Sequence, residues 1–473
     1  MFLLFGSGDI YRLLYIVCKA NHREVKPMSR TRDLRNPLDS APKDLPSRSG
    51  RFRLRWVILG MTALLLVLNY ADRAALGVAG PQMIEQLGLS KAQFGLVASA
   101  FFFGYVPCAF LGGWLSDRYG PRSIMGVAVA WWSLFTALTA AGTGFISLLI
   151  IRVLFGFGEG PQGSVSTKTM HNWFPQRQMG TAMGMVQGAT PLGGVVGTPV
   201  VVWLLSIGDW RLAFIVLGVI GGLCTIGWFA VVRDRPDLHP WARLQDVEEP
   251  RERITEVPNT SESDEAEALP MRHYFKMPII WSTAIAFFGY AWVLYTFLTW
   301  FPVYLTQERG VNLKELAVAG TIPWVFGVIG FVLGGLITDR IANRTGKPAA
   351  ARALMIVAGL TVTAVLFALI GLADTTVAAV ALMASVVFVL YLTGAQYFAI
   401  VADLVPGRRV GGVMGFVHAI ANLAGIAAPA IVGAIIDNTG SWATTFTLSG
   451  AVCILGAALM AIFGRSKKVA QVR

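Results

Sequence analysis

Asp72 and Arg73 stand side by side in "NYADRAAL", directly after the almost wholly apolar run Trp56–Tyr70. A second acid and arginine, Arg152 and Glu159 in "RVLFGFGEGP", are seven residues apart. That spacing puts them on one helix face, two turns from each other. Ionisable groups inside membrane spans are costly enough that their default reading is functional. Buried carboxylates can carry protons, and the fixed fork of a guanidinium fits a carboxylate, so the four together point to an organic anion moved with protons. Counting about 1.5 Å per residue puts Asp72 and Arg152 at one depth, where they can meet. Glu159 lies about 10 Å deeper, with Tyr105 at roughly its level. Gly156, Gly158, Gly160 and Gly163 leave that helix open to close neighbours or to a ligand. A permanent Asp72–Arg152 ion pair pinning two spans is the competing reading, but it leaves Arg73 and Glu159 unaccounted for.

The elements that must position these groups are membrane helices. Of 473 residues, 55% are hydrophobic and 14% charged. At about 20 apolar residues per crossing, this composition predicts an all-α polytopic membrane protein with twelve transmembrane helices. They fall near 56–79, 92–116, 123–141, 145–168, 179–206 and 211–232, then 277–305, 315–338, 353–371, 375–402, 410–436 and 441–464. Lys and Arg concentrate in the connections that share a side with the termini (Arg118, Arg122, Lys168, Arg177, Arg340, Arg344, Lys347, Arg352, Arg408 and Arg409), which places both termini in the cytoplasm. The net charge of +12 is therefore a topology signal beside anionic lipid, and nucleic acid is not expected as a partner. Scattered cysteines and the absence of metal-ligand, phosphate-loop or nucleophile motifs argue against a disulfide framework, a cofactor and an enzyme. The first 27 residues lack a signal-peptide pattern, and Met28 is a plausible start.

Five regions are expected: a tail at 1–54, a helical bundle at 55–232, a polar, acid-rich cytoplasmic loop at 233–276, a second bundle at 277–464 and a tail at 465–473. The halves are related. "GWLSDRYGPR" returns as "GLITDRIANR", so Gly113, Asp117, Arg118 and Arg122 correspond to Gly335, Asp339, Arg340 and Arg344. "PQRQMGTAMGMVQ" from Pro175 returns as "PGRRVGGVMGFVH" from Pro406, pairing Gln187 with His418. An acid and arginines at a helix end can make contacts across the halves in one state and lose them in another, a gating role that their repeated spacing favours over a mere cytoplasmic marker. Gln187, His418, Asn422 and Gln396 are candidate hydrogen-bonding partners for a hydroxylated ligand, and packing explains His418, Asn422 and Gln396 equally well. Trp292 and Tyr295 are read as cavity wall or as packing.

The Gly-Asp-Arg-Arg loop and the duplication resemble the major facilitator superfamily over about residues 55–464. The resemblance implies two six-helix bundles rocking about a central site. "NYADRAAL", "RVLFGFGEG" and "TWFPVYL" are similar to the anion:cation symporter branch, and to bacterial galactonate, glucarate and hexuronate proton symporters within it. That likeness implies that Tyr70 and Arg73 contact the anion, that Asp72 and Glu159 take up protons, and that Arg152 partners Asp72. It also implies a monomeric carrier in a bacterial inner membrane. An exchanger or exporter of the same superfamily, or a non-transporting sensor, is the alternative.

Overall fold

The computed structural model describes residues 54–242, 271–405 and 407–464. The expected tails, Met28 and most of the acid-rich loop lie outside these residues. A backbone without water must satisfy its polar groups internally, and the described secondary structure is accordingly helical. The first half contains α1 (Leu54–Leu87), α2 (Lys91–Tyr119), α3 (Pro121–Thr139), α4 (Phe145–Glu159), α5 (Gln162–Trp173), α6 (Gln176–Ile207) and α7 (Trp210–Val231). The second contains α8 (Pro278–Val303), α9 (Leu313–Ala319), α10 (Ile322–Thr345), α11 (Pro348–Ile370), α12 (Thr376–Thr393), α13 (Gln396–Leu404), α14 (Gly407–Thr439) and α15 (Trp442–Phe463).

Eleven of the described spans are long and apolar enough to cross a bilayer, and α3 occupies the place of the twelfth expected crossing. Three crossings that hydropathy reads as continuous are built from two helices each: α4 with α5, α9 with α10, and α12 with α13. The breaks fall at Gly160–Pro161, at Gly320–Thr321 just before Pro323, and at Gly394–Ala395. Breaks in spans four and ten stand at equivalent places in the two halves, as expected of a duplicated carrier.

Within the first half α1 packs on α6, α2 on α4 and α3 on α7; within the second α8 packs on α14 and α15, α10 on α12 and α11 on α15. The halves meet along α2 with α14, α1 with α8, and α6 with α10. Glycine allows that approach. A Cβ on Gly77 of α1 would lie 2.0 Å from the Leu298 carbonyl oxygen of α8, and one on Gly95 of α2 would lie 2.2 Å from the Pro429 carbonyl oxygen of α14. The described polar and ring contacts between the halves gather toward one end of the molecule, that of Ser90 and Asp437; they include Phe94 on Trp300 and Phe102 on Tyr295. Toward the opposite end, that of Asp117 and Arg340, Gly180, Gly184, Gly411 and Gly415 have no atom within 4 Å of where a Cβ would sit. Among the described residues, the halves meet toward the Asp437 end, and toward the Asp117 end these glycines face open space.

Candidate functional site

Glu159 is the last residue of α4, directly before the Gly160–Pro161 break, and it is fully buried. Its Oε2 accepts from Arg73 Nε at 2.8 Å, an ion pair joining α1 to α4, and Asn69 lies beside the same carboxylate. Three rings surround the guanidinium: Tyr70 at 5.2 Å, Phe101 at 4.7 Å and Tyr105 at 4.9 Å from Arg73 Cζ. Such a cage holds a cation by its ring faces without consuming its donors. Close packing of α2 on α4 sets the depth of Glu159. A Cβ on Gly156 would lie 2.0 Å from the Phe101 carbonyl oxygen, and one on Gly160 would lie 2.6 Å from that of Tyr105. Gly158 instead faces Trp131 and Trp132 of α3, so three of the four glycines serve neighbouring helices.

The expected Asp72–Arg152 ion pair is not formed. Among the described residues neither makes a salt bridge, and Asp72 Oδ1, Arg152 Nε and Arg152 Nη2 have no hydrogen-bond partner. Both residues are buried. Asp72 lies within electrostatic reach of Glu159 and Arg152 and beside Thr136 of α3, and the Arg152 guanidinium rests over Phe155 at 5.2 Å and Phe214 at 5.5 Å. Depth along a span leaves azimuth open, since neighbouring residues on a helix point about 100° apart. Arg73, one residue on, is the one that faces Glu159.

Arg73 and Arg152 line one cavity of about 40 Å³ with Phe101, Phe155, Tyr295 and Thr299. Tyr295, Leu298 and Thr299 are the second half's contribution, and Tyr295 is the one that reaches Arg73. Its hydroxyl lies beside Arg73 and donates to Asn422 Oδ1 at 2.9 Å, and Asn422 Nδ2 in turn reaches the His418 carbonyl at 2.8 Å and the His418 ring at 3.3 Å. A chain of polar groups thus runs Glu159, Arg73, Tyr295, Asn422, His418 across the two halves. Tyr295 carried no stronger sequence signal than its place in an aromatic span. Gln396 is not brought to this chain: it is buried, and its amide donates to the Gly334 carbonyl of α10 at 3.3 Å. Trp292 donates to Ser449 at 3.0 Å and is part of the second half's packing. Gln187 is half-buried and makes no hydrogen bond among the described residues.

At the opposite end from Asp437, Asp117 pairs with Lys168 of its own half at 2.7 Å, and Arg118 lies over Trp114 and Tyr119 of its own helix. Arg122 is held within the half: its N–H donates to Asp234 Oδ1 and its Nη2 to the Phe229 carbonyl. Gly113 lies against Ser164, and Gly120, at φ +82°, leaves the space that the Asp234 carboxylate fills. Asp339, Arg340 and Arg344 are exposed and form no ion pair among the described residues. Side chains of Arg177, Arg408 and Arg409 lie outside the description.

The Major Facilitator Superfamily pattern matches residues 62–398 and 351–472. The chain belongs to the major facilitator superfamily. It is 40% identical over 402 residues to the hexuronate transporter of Bacillus subtilis, covering 84% of this chain and 92% of the relative. Against the probable sulfoacetate transporter of Cupriavidus necator it is 33% identical, with 86% of this chain and 93% of the relative covered. Among solved structures, a bacterial homologue of the human lysosomal transporter Spinster, in an inward-facing, unoccupied conformation, superposes with a TM-score of 0.71 at 19% identity, over 88% of this chain and 98% of that one. This major facilitator chain is a multi-pass membrane transporter, not an enzyme.

Proposed function

We propose that this major facilitator protein is a proton-coupled symporter of a small organic anion, a sugar acid of the hexuronate kind. The observation that carries the reading is the Arg73–Glu159 ion pair at 2.8 Å. In that pair one guanidinium faces a carboxylate of the protein, in a cavity where a substrate carboxylate would seek the same partner. Ionised Glu159 and the substrate compete for Arg73. When Glu159 takes a proton, the pair loses its charge attraction and the fork of Arg73 is released to bind the substrate carboxylate in two-pronged fashion. Proton and anion are therefore taken up together. After the anion leaves, Glu159 gives up its proton and pairs again with Arg73, so the empty site closes around a neutral pair and reorients. Tyr295 and Asn422 supply hydroxyl and amide groups for the polyol part of the ligand, with His418 behind them. A cavity of about 40 Å³ holds roughly two or three waters, so a six-carbon acid enters only as the halves move.

The distribution of Lys and Arg supports cytoplasmic termini, and with them the Asp117 end facing the cytoplasm. The hexuronate relative supports both the substrate class and a bacterial inner membrane. The gating residues Gly113, Asp117, Arg118, Arg122, Asp339, Arg340 and Arg344 would engage across the halves in the opposite state, when this end closes. A monomer suffices, because both faces of the site come from one chain. Asp72 is a second candidate proton site and Arg152 a second cation at the cavity wall.

Purified protein in liposomes, given an inward proton gradient, should accumulate D-glucuronate and lose that accumulation when a protonophore is added. Uptake indifferent to both would refute the proposal.

A further inference from the structure

Helix α2 begins at Lys91, and the N–H groups of its first turn have no acceptor within the helix. Ser90 satisfies one: its hydroxyl accepts from Gln93 N–H at 3.1 Å, while the Gln93 side chain accepts from Ser90 N–H at 3.0 Å. The Lys91 and Ala92 N–H groups do not turn to water. Both donate to one carboxylate of the other half, Asp437 near the end of α14, Lys91 to Oδ1 at 3.1 Å and Ala92 to Oδ2 at 2.6 Å. Negative charge at a helix N-terminus is favoured by the helix dipole, and two charge-assisted bonds fix the orientation of the carboxylate. Gly433, one turn earlier, is what allows the backbones to come this close, since a Cβ there would lie 2.4 Å from the Lys91 carbonyl oxygen. The Lys91 ammonium completes the contact, 5.8 Å from the centre of the Trp442 ring.

We infer that Asp437 is a positioning residue for alternating access, a latch that holds the two halves together at this end and must release before the site opens there. The contact joins one element of each half at the extremity of the α2–α14 seam, opposite the Asp117 end, so separating the halves at this end breaks both bonds at once. Asp437 is exposed, and water can replace either partner. The latch therefore biases an equilibrium and does not lock it. None of this depends on Arg73, Glu159 or the identity of the substrate.

Spin labels at Glu85 on α1 and Asn438 on α14, both exposed, would report the separation at this end in the full-length protein reconstituted in liposomes. Asp437→Ala should enlarge the long-distance population about fivefold, the effect of losing roughly one charge–dipole contact, with no change in thermal stability. Asp437→Asn keeps an acceptor oxygen without the charge and should give a smaller shift in the same direction. Gly433→Leu wedges the seam and provides the reference distribution for an opened end. If Gly433→Leu lengthens the distance while both Asp437 variants leave the distribution unchanged, packing alone closes the seam and the latch is refuted.

Discussion

Burying a guanidinium or a carboxylate away from water costs several kcal/mol, and the contact between them seldom returns more than that. An Arg73–Glu159 pair at the centre of a membrane bundle is thus poorly explained as a source of stability and well explained as a switch. Its geometry also separates two roles that charge alone would merge. Lysine at position 73 would keep the charge but offer one point donor in place of a planar fork, and would fit less well within the cage of Tyr70, Phe101 and Tyr105. Arg73→Lys should weaken binding of a sugar acid by about 2 kcal/mol, the worth of a lost charge-assisted bond. Isothermal titration in detergent would show it; an unchanged affinity would remove Arg73 from the site. The sequence made the residue types legible because an ionisable group in an apolar run stands out. It did not make the pairing legible: Asp72 and Arg73 are adjacent in sequence, and only the packed structure shows that Arg73 closes the ion pair with Glu159 while Asp72, near Glu159 and Arg152 and beside Thr136, closes none.

At the scale of elements, the all-helical membrane architecture, with eleven of the twelve expected crossings long and apolar enough to span, and the tie between α1 and α4 could be read from hydropathy and spacing. The breaks in three of the crossings could not, because a window of mean hydropathy passes over Gly160–Pro161, Gly320 and Gly394 without a signal. These breaks have positional consequences: the one after Glu159 ends α4 at the carboxylate itself. The packing of α4 on α2 then fixes that carboxylate opposite Arg73, through glycines whose sequence reading allowed either a neighbour or a ligand. Gly156→Val would force its side chain against the Phe101 carbonyl and push the helices apart. Overpacking of this kind costs about 1–3 kcal/mol, so the variant should unfold at a lower temperature and bind substrate more weakly. A thermal midpoint equal to that of the unaltered protein would mean that α2 and α4 are not held as described.

Across the whole molecule, the described contacts between the two halves lie toward the Asp437 end, and the acids at opposite ends of α2 and α14 are differently engaged. Asp437 reaches across to the other half, whereas Asp117 is occupied by Lys168 of its own. An exposed pair such as Asp117–Lys168 is worth at most about 1 kcal/mol, so it can be exchanged for contacts across the halves when this end closes. Asp117→Asn should slow turnover several-fold while leaving equilibrium binding nearly intact, since the residue lies at the rim and not in the cavity. Binding lost in proportion to transport would contradict a gating role. Internal duplication made the two-fold plan visible in the sequence; which end carries the contacts between the halves is a property of one packed state and leaves no mark in residue types.

Competition between Glu159 and substrate for Arg73 is tested most directly by Glu159→Gln in liposomes, with D-glucuronate as the probe. The amide mimics the protonated acid, so the fork of Arg73 stays released, the anion still binds and the loaded carrier still reorients. Exchange of internal for external D-glucuronate should persist, while accumulation driven by an inward proton gradient should disappear. A Glu159→Gln protein that still accumulates D-glucuronate in response to the gradient would contradict the coupling role of Glu159.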